Sequence, residues 1–186
     1  MSNINTEKDT RIFKRLKAHL NYAKKYFPNN TIIYIGLQGS QNYNLDCYNN
    51  DYNSDVDTKA ILLPTLEDII LSKPQVSQTL LIPTEHNGVI SEPSEHCDVK
   101  DIRQMFECFK KQNINFLEIL FTKYRIINKD YKIPLNKLLD KRELIAHYDW
   151  NLAIKMIGNM SEQKLKALKH PYPSLIEKIE KYGYDR

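Results

Sequence analysis

Apolar and polar residues follow two different periods along this chain, and these periods divide it into predicted helices and strands. Residues 31–37 (TIIYIGL) are almost all apolar or β-branched, which is typical of a strand buried on both faces. Before this run, apolar residues recur at helical spacing, and the segment 28–30 (PNN) ends the predicted helix. The members of that helical pattern are Ile12, Phe13, Leu16, Leu20 and Ala23.

The pattern further along predicts a small mixed sheet flanked by helices. A second strand is expected over 55–63, and Thr65 with Asp68 forms a capping box that opens a short helix. Residues 79–100 are expected to be extended, interrupted by turn signals at 83, 87–88 and 93. Beyond about residue 101 the period is helical, and Trp150, Ala153, Ile154, Ile157, Leu165 and Leu168 predict a long amphipathic helix. The predicted class is α/β (α+β), with a core over 1–125 and a helical C-terminal region over 126–186.

A glycine-serine turn follows the first predicted strand, within the segment GLQGSQNY. Gly39 would let the backbone approach an anion closely, and Ser40 can supply a hydroxyl. The first turn of a following helix can present free amides to a phosphate. This arrangement is compatible with phosphate binding, although a Gly-Ser pair after a strand is most often only a turn.

Two carboxylates come next, in the segment SDVD, fourteen residues beyond Ser40. If the chain is extended there, Asp55 and Asp57 lie on one face of the strand. Like charges side by side repel each other unless a cation lies between them. Magnesium is usually held by one or two protein carboxylates together with water and substrate phosphates. By itself an Asp-x-Asp is most often a solvated loop or a helix cap, but combined with Gly39-Ser40 it predicts metal-assisted nucleotide chemistry.

The segments GSQNY, SDVDTKAILLP and CDVKDIRQMFECFKKQNINFLEILFT make this chain similar to one family. Over residues 31–125 it resembles the predicted nucleotidyltransferases of the DNA polymerase beta superfamily, in the minimal type found in bacteria and their phages. The resemblance implies that Gly39 and Ser40 bind a nucleoside triphosphate and that Asp55 and Asp57 bind two Mg²⁺ ions, with Mn²⁺ as the alternative ion. It implies transfer of a nucleoside monophosphate to an acceptor hydroxyl on RNA, protein or a small molecule. The alternative is a catalytically silent module that binds nucleotide or nucleic acid on the same fold.

The resemblance also implies a third carboxylate on a neighbouring strand. In the segment EHCDVK, Cys97 and Val99 alternate with Asp98, which places Asp98 on a strand and away from its apolar side. Asp98 is therefore favoured as the third catalytic and metal-binding acid. Asp101 is the second choice, since it also fits a helix N-cap with Gln104. Glu118 is a weaker choice, because its position after Asn115 fits a capping box.

Two features depart from the family pattern or extend it. Asn44 stands where such proteins usually carry Gly, and asparagine tolerates the left-handed backbone that this turn requires. The polar stretch 46–53 is either a loop over the nucleotide or a surface turn.

Lys59 and Lys100 are candidates for steadying the triphosphate, or else lysines at strand edges. The chain end near 182–185 suggests a shortened C-terminal part.

The composition excludes several classes of protein but does not identify a binding partner. The chain has 186 residues and a formal net charge of +4. It has neither an apolar run of membrane-spanning length nor the pattern of a signal peptide, so a cytoplasmic protein with no membrane partner is expected. Three cysteines without C-x-x-C spacing predict free thiols, and a zinc site at His96, Cys97 and His86 is disfavoured. Basic residues concentrated in the first helix and near the C-terminus indicate either a nucleic-acid contact or, more simply, solvated helix faces.

Overall fold

The computed structural model describes residues 6–45, 54–86, 89–90 and 95–169. The chain forms two compact units, Met1–Tyr148 and Asp149–Arg186. The helices are α1 (Thr6–Tyr26), α2 (Leu66–Ile70), α3 (Ile102–Lys110), α4 (Ile114–Phe121), α5 (Lys132–Asp140), α6 (Arg142–Ala146) and α7 (Trp150–Lys169). The strands are β1 (Thr31–Gln38), β2 (Asp57–Leu63), β3 (Ser77–Ile82), β4 (Glu85–His86), β5 (Val89–Ile90), β6 (Glu95–Asp101) and β7 (Arg125–Ile127). Two 3₁₀ turns cover Ser40–Tyr43 and Lys129–Tyr131.

Five strands of the first unit form one mixed sheet in the order β3-β6-β2-β1-β7. The β2–β6 pair is parallel, and the other three pairs are antiparallel. Strands β4 and β5 pair separately as a short antiparallel ladder. The predicted α+β class, with a mixed sheet flanked by helices, is confirmed.

The sheet is covered on both faces, which explains the continuous apolar run of β1. One core cluster joins α1 residues such as Ile12 and Leu16 to one face of the sheet, where Ala60 and Leu62 lie. A second cluster packs α3, α4 and α5 onto the opposite face, where Ile61 lies. Alternate residues of a strand point to opposite faces, so Asp57 and Lys59 share the Ile61 face.

Several local predictions are confirmed by the backbone and the caps. Thr65 and Asp68 form the expected capping box at the start of α2. Asn44 adopts the left-handed conformation, with φ 55°. Cys97 and Cys108 are free thiols. Residues 46–53, the turn signals at 87–88 and 93, Cys47 and the segment 182–185 lie outside the described residues.

The first compact unit extends beyond residue 125, where the sequence pattern placed the end of the core. Strand β7 pairs with β1, and Leu135 and Leu139 of α5 are buried in the second core cluster. The second unit contains α7, which is helical over the range that its apolar spacing predicted. Within the part of the chain that the structure describes, no helix has both the length and the apolar character needed to cross a membrane.

Candidate functional site

The glycine-serine turn and the aspartate pair meet at one end of the sheet. Gln38, the last residue of β1, pairs in register with Asp57, the first residue of β2. Gln41 joins the two segments, because its Nε2 donates to the carbonyl oxygens of Ser54 at 3.0 Å and Asp55 at 2.6 Å. The two motifs that the sequence singled out are therefore neighbours in space as well as in the chain.

The turn itself depends on Gly39. Its φ of 83° and ψ of −159° lie in a region that side chains rarely allow. The helix expected after it is one 3₁₀ turn of four residues, Ser40–Tyr43, and Asn44 closes it in the left-handed conformation. The Nδ2 of Asn42 donates to the Leu37 carbonyl at 2.8 Å, which holds the turn against the end of β1.

The aspartates lie on either side of a buried valine. Val56 is only 2% exposed and packs in the cluster beneath α1, whereas Asp55 is exposed and Asp57 is half-buried. Strand β2 begins at Asp57, two residues later than the expected start. The Oδ1 of Asp57 accepts from the backbone amide of His96 at 2.8 Å and lies 3.2 Å from its Nδ1. This contact with His96 was not predicted.

Asp98 lies on β6 as predicted, on the face opposite Cys97 and Val99. In the parallel register it is paired with Lys59, and its Oδ2 is 3.8 Å from the Lys59 Nζ. Its Oδ1 accepts from the Thr79 hydroxyl at 2.5 Å. The structure therefore brings Asp98 to Lys59 and Thr79. Its partner Lys59 is two residues beyond Asp57 on β2.

The interpretation of Lys59 as a strand-edge lysine is wrong. Strand β2 is central in the sheet, and Lys59 is only 2% exposed. Its ammonium donates to the Asn115 carbonyl at 2.9 Å and lies 4.4 Å from the centre of the Phe116 ring. Burial lowers the pKa of Lys59, and the charges of Asp98 and Glu118 act in the opposite direction. Lys59 thus fastens α4 to the sheet beside the site.

The capping-box interpretation of Glu118 is also wrong, because α4 begins at Ile114 and Glu118 lies inside it. Its Oε1 accepts from the Gly39 amide at 2.5 Å and from the Asn42 Nδ2 at 3.1 Å. The Tyr43 hydroxyl donates to its Oε2 at 3.3 Å. A single carboxylate in a helix that is mostly apolar was the sequence signal that could have indicated a site residue.

Asp101 is the second choice for the third acid. It is the N-cap of α3, as the sequence pattern also predicted. Its side chain accepts from the Arg103 amide at 2.8 Å and from the Arg103 guanidinium. Asp101 is 1% exposed and ends β6, whereas Asp57 contacts the start of that strand. Its carboxylate is therefore engaged with its own helix.

Glu95, the first residue of β6, is a site residue that the sequence reasoning missed. It is 5% exposed, and its Oε1 accepts from the amide of Val56, the residue between the two aspartates, at 3.2 Å. The period of two places Glu95 on the same side as Cys97 and Val99. A carboxylate on the apolar side of a strand was the signal that could have identified it.

Asp55 and Asp57 are the candidate ligands for a divalent cation, and the described residues do not form a preformed three-acid site. Among the described residues, no group of three or more His, Cys, Asp and Glu side chains is close enough to hold a metal ion. Asp55 and Asp57 supply hard oxygen donors, as magnesium requires when substrate phosphates complete its shell. The Oε1 of Gln41 is buried without a hydrogen-bond partner in the described part of the chain, which leaves an acceptor oxygen on the side chain that binds the Asp55 carbonyl.

In comparisons with known proteins, no family model, no curated sequence and no solved structure matches this chain.

Proposed function

We propose that this protein is a metal-dependent nucleotidyltransferase, which moves a nucleoside monophosphate from a nucleoside triphosphate to an acceptor hydroxyl. The observation that carries the proposal is the pairing of Gln38, the residue before Gly39, with Asp57 at the joined ends of β1 and β2. Gln41 bridges the same two segments by its bonds to Ser54 and Asp55. A phosphate-compatible turn beside paired carboxylates favours metal-assisted phosphate chemistry over a scaffold role.

Each segment has a separate task in this proposal. The Gly39 amide and the Ser40 hydroxyl orient the triphosphate, and the carboxylates of Asp55 and Asp57 hold the divalent cation. A bound cation would supply Lewis-acid stabilisation of the charge that develops on the phosphates. Sheet pairing fixes Asp57 at the start of β2, and the bonds of Gln41 hold the backbone at Asp55 beside the Gly39 turn.

The proposed reaction is a single displacement at the α-phosphorus. The acceptor hydroxyl oxygen forms a bond to the α-phosphorus, and the bond from that phosphorus to the α,β-bridging oxygen breaks. Pyrophosphate leaves, and the hydroxyl proton passes to the carboxylate of Asp98. Lys59, 3.8 Å from Asp98, and Thr79 position that carboxylate on the site face of the sheet.

A second candidate function is a nucleotide-binding module without transfer activity, and the position of Asp98 favours it. The Asp98 carboxylate contacts Lys59 and Thr79. Among the described residues, no three acids are grouped closely enough to form a three-carboxylate metal site. The module would bind triphosphate without releasing pyrophosphate.

The proposal is tested with triphosphates labelled at the α-phosphate, incubated with Mg²⁺ or Mn²⁺ and cell extract. We expect the wild-type protein to transfer the label to an acceptor. We expect Asp57→Asn to lose more of this activity than the about 10- to 100-fold that follows the loss of a residue supporting a metal ligand. Asp55→Asn is expected to act in the same direction. Equal labelling by the wild type and both variants would refute the proposal.

Asp130→Asn is the matched control for these variants. Asp130 is exposed and lies two residues after Asn128, whose backbone and side-chain amides donate to the carbonyls of Ile33 and Ile32 near the beginning of β1. It is therefore at the end of β1 opposite to Gly39, and its loss should leave the labelling unchanged. Circular dichroism of all four proteins checks that the sheet is intact.

A further inference from the structure

A buried polar cluster lies behind the aspartate pair, on the face of the sheet that α1 covers. It consists of Glu95 on β6, Arg15 and His19 on α1, and Thr58 on β2. Arg15 donates from its Nε to the Glu95 Oε2 at 2.7 Å, and His19 donates from its Nε2 to the same oxygen at 2.9 Å. The His19 Nδ1 is hydrogen-bonded to the Thr58 hydroxyl at 2.9 Å.

The cluster contacts the residues immediately before and after Asp57. The Glu95 Oε1 accepts from the amide of Val56 at 3.2 Å, and His19 binds the side chain of Thr58. Because side chains alternate along a strand, these contacts come from the face opposite the Asp57 carboxylate. The backbone that carries Asp57 is therefore fixed from behind at its two neighbouring residues.

Three of the four residues of the cluster are buried, and the Arg15 side chain is 22% exposed. His19 and Thr58 are fully buried, and Glu95 is 5% exposed. Buried charged groups are costly to keep unless they are paired and hydrogen-bonded, and apolar residues of similar volume are often as stable. A role beyond stability would explain why α1 carries Arg15 and His19 at this contact with the sheet.

We propose that the Arg15–His19–Glu95–Thr58 cluster positions the Asp55-Asp57 pair for its divalent cation. This inference rests on the proposed function, since it assigns the cluster to the same metal site. Glu95 holds the Val56 amide and His19 holds Thr58, so the two carboxylates project from a backbone with little freedom. None of the four residues needs to touch the metal or the nucleotide, and each acts through the strand.

The experiment measures Mn²⁺ alone, by the loss of its free-ion electron paramagnetic resonance signal when it binds the full-length protein. Glu95→Gln removes the charge and one acceptor while keeping the shape of the side chain. We expect its dissociation constant for Mn²⁺ to rise about 10- to 100-fold, as for other residues that support metal ligands indirectly.

Thr58→Val is the second variant, because it changes no charge and keeps the volume of the side chain. It removes the hydroxyl that binds His19, and we expect weaker Mn²⁺ binding than in the wild type. This variant separates loss of positioning from loss of a negative charge near the cation. It also keeps the proposal testable if Glu95→Gln does not fold.

Leu80→Ala is the matched control for lost stability. Leu80 is buried in the same core cluster but lies on β3, which pairs with β6 and not with β2. We expect Leu80→Ala to lower the free energy of unfolding while the folded protein keeps the wild-type affinity for Mn²⁺. A purely structural role of the cluster would make Glu95→Gln and Thr58→Val behave like this control.

Asp57→Asn distinguishes the two ways in which the inference can fail. If Asp57→Asn binds Mn²⁺ as the wild type does, the metal site of the proposed function is wrong and the inference falls with it. If Asp57→Asn loses Mn²⁺ binding while the folded Glu95→Gln and Thr58→Val proteins keep wild-type affinity, the inference alone is overturned.

Discussion

Glu118 is the residue whose position most changes the view of the nucleotide site. Its carboxylate accepts from the Gly39 amide at 2.5 Å, which is the amide expected to face a phosphate. It also accepts from Asn42 and from the Tyr43 hydroxyl. The carboxylate therefore stabilises the turn and also occupies the hydrogen-bond donor at Gly39. A triphosphate that uses the Gly39 amide must displace this carboxylate or bind beside its negative charge.

Glu118→Gln tests this competition. Glutamine retains an oxygen that can accept from the Gly39 amide, but it removes the charge that opposes a triphosphate. Coulomb's law at a partly buried site predicts tighter binding of ATP by about tenfold at low ionic strength, and less at high salt. Titration calorimetry of wild type and variant measures the change, and weaker binding by Glu118→Gln would show that the carboxylate helps to bind the substrate.

The site depends on the turn that joins β1 to the 3₁₀ turn Ser40–Tyr43, and Gly39 sets the geometry of this connection. No atom of the described residues lies within 4 Å of a Cβ added at Gly39, so the obstacle to a side chain there is the backbone conformation. Its φ of 83° with an extended ψ is essentially restricted to glycine. The turn is thus constrained by torsion angles and not by packing.

Gly39→Ala should therefore lower the free energy of unfolding by about 1–3 kcal/mol, the usual cost of such a backbone conformation. Gly158→Ala is the control, since Gly158 lies inside α7 and a Cβ added there also meets nothing within 4 Å in the part of the chain that the structure describes. In a helix the same substitution should stabilise by about 0.5–1 kcal/mol. Urea unfolding measures both changes, and equal effects of the two substitutions would contradict the argument from torsion angles.

The strands that carry the site were largely predictable, because the local periodicity of apolar residues indicates each strand and which of its side chains share a face. The apolar run of β1 and the alternation of Cys97, Asp98 and Val99 correctly placed two strands and their faces. The central position of β2 and the contacts of Glu118 were not predictable from these periods. They arise from pairing between segments that are distant in the chain, as the contact of Glu118 with Gly39 illustrates.

Across the molecule, one cluster of buried polar groups joins the first helix to two strands of the sheet. Arg15 and His19 come from α1, and Glu95 is separated from His19 by 76 positions in the chain. Burial acts to raise the pKa of Glu95, but hydrogen bonds and charges from His19 and Arg15 bring it below its ordinary value of 4.5. Folding therefore favours the ionised form of this carboxyl.

This shift predicts a specific dependence of stability on pH. A carboxyl whose pKa is lowered by folding stabilises the protein above its unfolded pKa, and this contribution is lost as the pH falls through the folded pKa. We expect the difference in free energy of unfolding between the wild type and Glu95→Gln to be constant above pH 4.5 and to shrink as the pH falls below that value. Urea unfolding across this range measures it, and a difference that does not change with pH would contradict the assignment.

The central claim is that the joined turn and aspartate pair transfer a nucleoside monophosphate. One incubation with Mg²⁺ and cell extract, run in parallel with triphosphate labelled at the α- or at the γ-phosphate, decides it. Nucleotidyl transfer predicts that the α-label appears on the acceptor and the γ-label appears in pyrophosphate. A γ-label on the acceptor, or binding of all four triphosphates with no label transferred and no pyrophosphate released, would contradict it.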